Sequence, residues 1–212
     1  MKVLIMGLLL FGVALADVVT DWNSIMRTTL RGQTPQAQAR LAAITHLAVF
    51  EAVNAITKEY EPYLGTITAA PGASPDAAAV AAAWRVLRNY FPASAPTLDI
   101  ERDRFLAMIP NGSSKSEGVS VGEAAAAAMI AERANDGAAT PMVYTPPIGV
   151  GYWQPAPPAL AAATFLHWGK VKPFGMLSGD QFRSKPPPGF NTGKYRRDFN
   201  EVKEVGSASS TG

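Results

Sequence analysis

The chain has 212 residues, with 19 Lys+Arg against 17 Asp+Glu, 48% hydrophobic and 17% charged residues, 17 Pro, 18 Gly and no Cys. This composition describes a folded chain of one domain, or a domain and a tail, and not a disordered one; the lack of Cys excludes disulfide frameworks, thiol nucleophiles and Cys-ligated zinc or iron–sulfur centres. A net charge of +2 gives no basis for a nucleic-acid partner, which needs clustered Lys and Arg, although the charge is uneven: residues 17–164 hold ten basic and thirteen acidic side chains, and residues 165–212 hold eight and four.

Residues 1–16, MKVLIMGLLLFGVALA, combine one Lys, an apolar run from Val3 to Val13 and the small-x-small ending Ala14-Leu15-Ala16. That is the layout of a signal peptide cleaved before Asp17, and it predicts an exported protein, periplasmic or extracellular. The alternative is an uncleaved anchor, but the run is shorter than the roughly 20 residues of a bilayer span, and no stable span is expected after cleavage. A short helix is predicted over Val19 to Leu30. Thr34-Pro35 then supplies an N-cap and a first-turn proline for a long helix reaching Thr57 without Gly or Pro. Apolar residues cover most of its circumference, so it is expected to be the buried central helix. Ser74-Pro75-Asp76 repeats the start signal before an Ala-rich helix halted by Pro92. A third long helix is expected from Thr97 to Ile109. A fourth starts near Ser114, where Ser114/Glu117 and Ser120/Glu123 have capping-box spacing, and stops at Asn135-Asp136-Gly137.

After Gly137 the texture changes. Ten prolines between positions 141 and 188 leave little room for regular structure, and Tyr144, Tyr152, Trp153 and Trp168 are interleaved with them as anchors for an extended arm. A helical pattern returns from Asn191 to Val205, with Tyr195, Phe199 and Val202 at i, i+4 and i+7. No segment alternates with period two, so no strand is predicted. The fold class is all-α: a helical bundle layer with a long Pro-rich arm. The organisation is signal peptide 1–16, Ala-rich helical region 17–140, Pro/aromatic-rich arm 141–190 and the start of a further helical region, 191–212.

Chemistry-bearing residues are few. The two histidines are His46, on a helical stripe with Ala43, Phe50 and Val53, and His167, in the arm beside Trp168 and near Lys170 and Lys172. His46 reads as a packed core histidine kept neutral by burial, and His167 as a structural hydrogen-bonding residue. Glu51 and Asn54 share a helix with His46, but that spacing is no metal signature. Residues 112–118, GSSKSEG, lack the Gly-Lys-Ser/Thr ending and the preceding strand of a phosphate loop. Asn111-Gly112-Ser113 has glycosylation spacing. Lys170, Lys172, Arg183, Lys185, Lys194, Arg196 and Arg197 make the C-terminal part basic, which reads first as a solvated face and second as an anion-facing one.

Several phrases carry a resemblance: Ala16-Asp17 to Trp22, THLAVFEAVNAI (45–56) followed by Tyr60-Glu61-Pro62-Tyr63, YTPPIGVGYWQPAPP (144–158), HWGKVKPFGMLSGDQFR (167–183) and DFNEVKEVG (198–206). Together they resemble the N-terminal half of exported bacterial proteins related to vanadium-dependent haloperoxidases and type 2 phosphatidic acid phosphatases. The resemblance implies an α-helical protein. In that family Lys and Arg of a K-x6-R-P motif, a P-S-G-H segment and an S-R-x5-H-x3-D segment surround vanadate or phosphate. None of the three is present here. Leu177-Ser178-Gly179-Asp180 approaches P-S-G-H but has Asp in place of His; Arg40 and His46 have R-x5-H spacing, with Ala39 and Phe50 where Ser and Asp belong.

The resemblance therefore implies an incomplete domain with no catalytic residue, cofactor or metal of its own, a vanadate- or phosphate-type oxyanion in the full-length relative, and inactivity of this part alone. His46, His167, Lys170, Lys172 and Arg183 remain as anion-facing or structural polar positions. The partners implied are the missing C-terminal catalytic half and, in a homo-oligomer, a second copy. Two rivals stand beside this reading: a self-contained exported binding module without activity, and an acid–base enzyme using His167 with Lys170.

Overall fold

A computed structural model describes residues 17–145, 147–149 and 151–206. The expected signal peptide and the final six residues lie outside them. The fold is all-α, with six α-helices and no strand among the described residues, and it divides into two compact units between Ala139 and Thr140.

The first unit holds α1 (Val18–Thr29), α2 (Pro35–Thr57), α3 (Pro75–Tyr90), α4 (Ala95–Ala107) and α5 (Ser113–Arg133). Three starts are capped by side chains that satisfy otherwise orphaned N–H groups: Asp17 accepts from Val19, Thr34 from Ala37 and Ser74 from Ala77. Helix α2 ends where Lys58 enters the left-handed region at φ 56°. Two helix starts differ from expectation. Pro92 opens a 3-10 turn, Pro92–Ser94, that leads straight into α4, two residues before Thr97. Neither predicted capping box forms: Gly112 is the N-cap of α5, and the Ser120 hydroxyl donates back to the Ser116 carbonyl within the helix.

The central helix is α3, not α2. It packs against α1, α2, α4 and α5, and every residue from Ala77 to Trp84 is buried. Alanine permits this because it has no rotamers to lose and lets neighbouring backbones come close. Helix α5 closes on α3 through Gly118 and Gly122, one turn apart. A Cβ at Gly118 would strike the Ser74 carbonyl and lie 3.0 Å from Ala77 Cβ; one at Gly122 would strike the Ala78 carbonyl and lie 2.8 Å from Ala81 Cβ. The Ser74 N–H also donates to the Ser114 carbonyl at 2.8 Å, fixing the register of the two helices. Helix α2 lies alongside both, burying Leu41, Ile44, Thr45, Ala48, Val49 and Ala52, and leaves its opposite side outward.

Two polar clasps tie the layer. Trp84 on α3 donates its indole N–H to Asp99 on α4 at 2.7 Å, Arg88 donates to the same oxygen at 3.0 Å, and the Arg102 guanidinium sits 4.3 Å from the centre of the Trp84 ring. The Trp84 hydrogen bond, helped by Arg88 and Arg102 against some desolvation, holds the Asp99 carboxyl below its ordinary pKa. At the other end, Asp136 receives Arg40 Nε of α2 at 2.7 Å and Arg133 Nη2 of α5 at 3.0 Å, while its second oxygen accepts the Ala138 N–H at 3.0 Å. Arg40 also donates to the Arg133 carbonyl at 3.0 Å. Arg133 is 0% exposed.

The second unit contains a 3-10 turn, Trp168–Lys170, and α6 (Gly193–Val205), which starts two residues later than expected because the Thr192 hydroxyl caps Tyr195. Its aromatics pair with one another: Tyr144 against Trp153 at 5.7 Å, and Phe190 against Tyr195, which stacks on Phe199. Gly151 lies under Phe190, where a Cβ would come within 3.0 Å of the ring. These contacts are what anchor the Pro-rich segment to α6.

Two predictions follow from the packing. Helix propensity alone makes Gly122→Ala a gain of about 1 kcal/mol; the α3–α5 seam reverses the sign, giving a loss of about 1–3 kcal/mol from overpacking, measurable by urea unfolding. Asp136→Asn removes the counter-charge of a buried guanidinium and should cost about 3–5 kcal/mol. Burial raises the Asp136 pKa, but the hydrogen bonds from Arg40 and Ala138 and the charges of Arg40 and Arg133 outweigh it and hold it below 3.8. Its contribution is therefore intact above the ordinary carboxylate value and lost as pH falls through the lower folded-state value, a slope in thermal midpoint that Asp136→Asn abolishes.

Candidate functional site

His46 is exposed on α2, which corrects the expectation of a buried, neutral core histidine. Its stripe, with Ala43, Phe50 and Val53, is the outward side of the helix and is only half-buried. The fold buries the opposite side because α3 and α5 both lie there. Arg40, six residues earlier, is committed to Asp136 and to the Arg133 carbonyl, so the R-x5-H spacing brings together no clamp.

The conspicuous phrase around His46 has a different use. Asn54 donates its side-chain N–H to the Tyr60 carbonyl at 2.7 Å and accepts the Tyr60 N–H at 2.9 Å, and the buried Glu51 carboxylate accepts the Tyr63 N–H. The Glu-x2-Asn pair thus pins the Tyr60-Glu61-Pro62-Tyr63 loop against the end of α2. Phe50 meets the Tyr60 ring at 6.4 Å. A cavity of about 200 Å³ lies beside this pin, bordered by Glu51, Asn54, Lys58 and Tyr60. The signal was present in the sequence as a carboxylate and an amide one turn apart on an apolar helix, followed by a Pro-bearing loop.

His167, Lys170, Lys172 and Arg183 fall on one folded loop of the second unit, whereas His46 belongs to the first. His167 is half-buried, its ring edge against Trp168 at 5.8 Å; Lys170, Lys172 and Arg183 are exposed. The loop is held by backbone contact. Gly179 lies directly on the Gly169 carbonyl, so position 179 has no room for a side chain, whereas a Cβ at Gly169 would meet open space. Gln181 accepts the Leu177 N–H at 2.8 Å, and Arg183 donates its N–H to the Asp180 carbonyl at 3.0 Å. The Ser178 hydroxyl donates to the Asp180 carboxylate and, with the Asp180 N–H and the Arg183 charge, keeps its pKa low against slight desolvation. Leu177-Ser178-Gly179-Asp180 is therefore a self-bonded turn. Among the described residues, no group of three or more His, Asp and Glu side chains is placed to hold a metal ion.

Asn54→Ala should remove both hydrogen bonds to Tyr60 and cost about 1–3 kcal/mol. Trypsin cleavage after Lys58 reports it: the loop of the variant should be cut several times faster than that of the parent, with Arg85 as an internal comparison.

No family profile and no curated protein matches the sequence. The structure is similar to the crystal structure of the first bacterial vanadium-dependent iodoperoxidase, with a TM-score of 0.66 and 25% identity over 89% of this chain and 48% of that one. The fold is haloperoxidase-like, and the chain spans about half the length of that neighbour.

Proposed function

We propose that this chain is the N-terminal helical half of an exported, vanadium haloperoxidase-like protein, a scaffold for a catalytic half and inactive by itself. The observation that carries the reading is the lopsided match: nearly all of this chain superposes on about half of an iodoperoxidase. The chemistry of the residues supports it. An oxyanion such as vanadate is held by several converging cations and stabilised by an imidazole and backbone donors. Here the half-buried guanidinium of Arg40 and the buried one of Arg133 are both directed at Asp136, and the two imidazoles lie in separate units. The turn nearest to P-S-G-H spends its hydroxyl on Asp180. Such an anion does not fit these residues, and no reaction step is assigned to them.

Purified chain supplied with vanadate, peroxide and iodide or bromide, or with a phosphate monoester, should show no turnover above the blank. Turnover abolished by His46→Ala would overturn the reading. The rival reading, a self-contained binding module, draws on the basic second unit and its exposed Ile148, Leu177 and Phe182. Thermal unfolding separates the two: the half-domain should aggregate and bind hydrophobic dye, whereas a complete module should unfold cooperatively as a monomer.

A further inference from the structure

We infer that the outward side of α2, together with the groove it forms with α1, is the seam that receives a helix of the catalytic half, a helix carrying acidic residues along one flank. This inference rests on the reading above and names the surface through which it works.

Helix α2 is long and apolar enough to cross a bilayer by length and composition, yet only 44% of its most apolar window is buried. At 100° per residue, Ala39, Ala43, His46, Leu47, Phe50 and Val53 fall on one side, opposite Leu41, Ala48 and Ala52. The first six are exposed or half-buried and the last three are buried. The stripe continues into a groove of about 730 Å³ between α1 and the start of α2, floored by Met26, Leu30, Ala39 and Ala42. Small side chains at 39, 42 and 43 let a second helix approach closely and pack in the ridge between Leu47 and Phe50. The same side also leaves a polar atom unmet, since Gln36 Oε1 is buried without a hydrogen-bond partner.

Charge points to what covers it. Arg27 and Arg31 line the groove, are exposed, and make no ion pair among the described residues. Two cations bordering an apolar groove favour an amphipathic polypeptide with acidic residues beside its apolar stripe. The iodoperoxidase, with about as much chain again as the matched part, shows that a polypeptide of the required size exists in a relative of this shape. That argument selects a protein half over a second copy or a membrane.

These 212 residues hold no Cys, so an introduced thiol is the only one in this chain, and any Cys of the extension is replaced by Ser before labelling. Ala39→Cys places it in the seam, and Ala127→Cys places it on the exposed side of α5 as a control. Maleimide labelling rates are measured for both variants in this chain and in the chain extended through the coding sequence downstream of Gly212. Position 39 should label at least tenfold more slowly in the extended chain, with position 127 unchanged. In the extended chain, Arg27→Glu with Arg31→Glu should restore labelling at position 39. Equal rates at position 39 in both chains would overturn the inference. So would protection at position 39 already present in the shorter chain, whether relieved by dilution, which marks a second copy, or brought on by phosphatidylglycerol vesicles, which marks a membrane. An unchanged rate after the double charge reversal removes the acidic flank. The broader reading fails separately, through an extended chain without vanadate-dependent iodide oxidation or through the absence of downstream coding sequence, which would also remove the proposed occupant.

Discussion

The approach of α5 to α3 is the constraint on which the first unit depends. Two glycines inside a helix each cost about 1 kcal/mol relative to alanine, so a sequence that carries them one turn apart needs a compensating contact. Here the compensation is backbone proximity: Gly118 and Gly122 set α5 against the carbonyls of Ser74 and Ala78. Once that spacing is set, an alanine-rich α3 can be surrounded on all sides, and α2 can lie across both helices. Substituting larger apolar residues along α3 would increase the area available for burial but would push α5 away, so shape complementarity is favoured here over side-chain size.

The polar clasps hold the ends of elements that this thin packing leaves lightly tied. Alanine contacts contribute little area each, and the unit relies on a few directional interactions for register. Asp136 links the start of α2, the end of α5 and the following turn through one carboxylate, and Asp99 links α3 to α4 through the Trp84 indole. Such clusters fix geometry because each partner left alone would be a buried or half-buried charge with nothing to satisfy it.

Much of the helical layer was legible from local signals. The Thr34-Pro35 and Ser74-Pro75 starts and the Asn135-Asp136-Gly137 stop act within one turn of the chain, and each structural boundary falls at or beside them. What failed to show was tertiary. Burial of α3 instead of α2 depends on which neighbours surround a helix, and an apolar circumference cannot report that. The exposure of His46 has the same cause, since an apolar stripe does not report whether another helix packs on it. Gly118 ends a glycine-bearing stretch that resembles a phosphate loop, and the sequence sign of close packing is its four-residue spacing from Gly122 inside a helix. The triad on Asp136 escaped because its members lie 96 residues apart at the extreme.

The loop over residues 167–183 shows why a specific phrase need not mark chemistry. His, Trp, Lys, Ser, Asp and Arg within 17 residues look like a reactive assembly, yet Ser178 and Asp180 are bonded to each other within the loop. Gly179 is required by its contact with the Gly169 carbonyl, Asp180 is held by Ser178, and Gln181 by the Leu177 N–H. With those positions taken by folding, Leu177 and Phe182 are left pointing into solvent at 92% and 79% exposure beside the exposed Lys170, Lys172 and Arg183. Folding of this loop therefore fixes its backbone without burying its largest apolar side chains, the reverse of the first unit, where Ala77 to Trp84 are all buried.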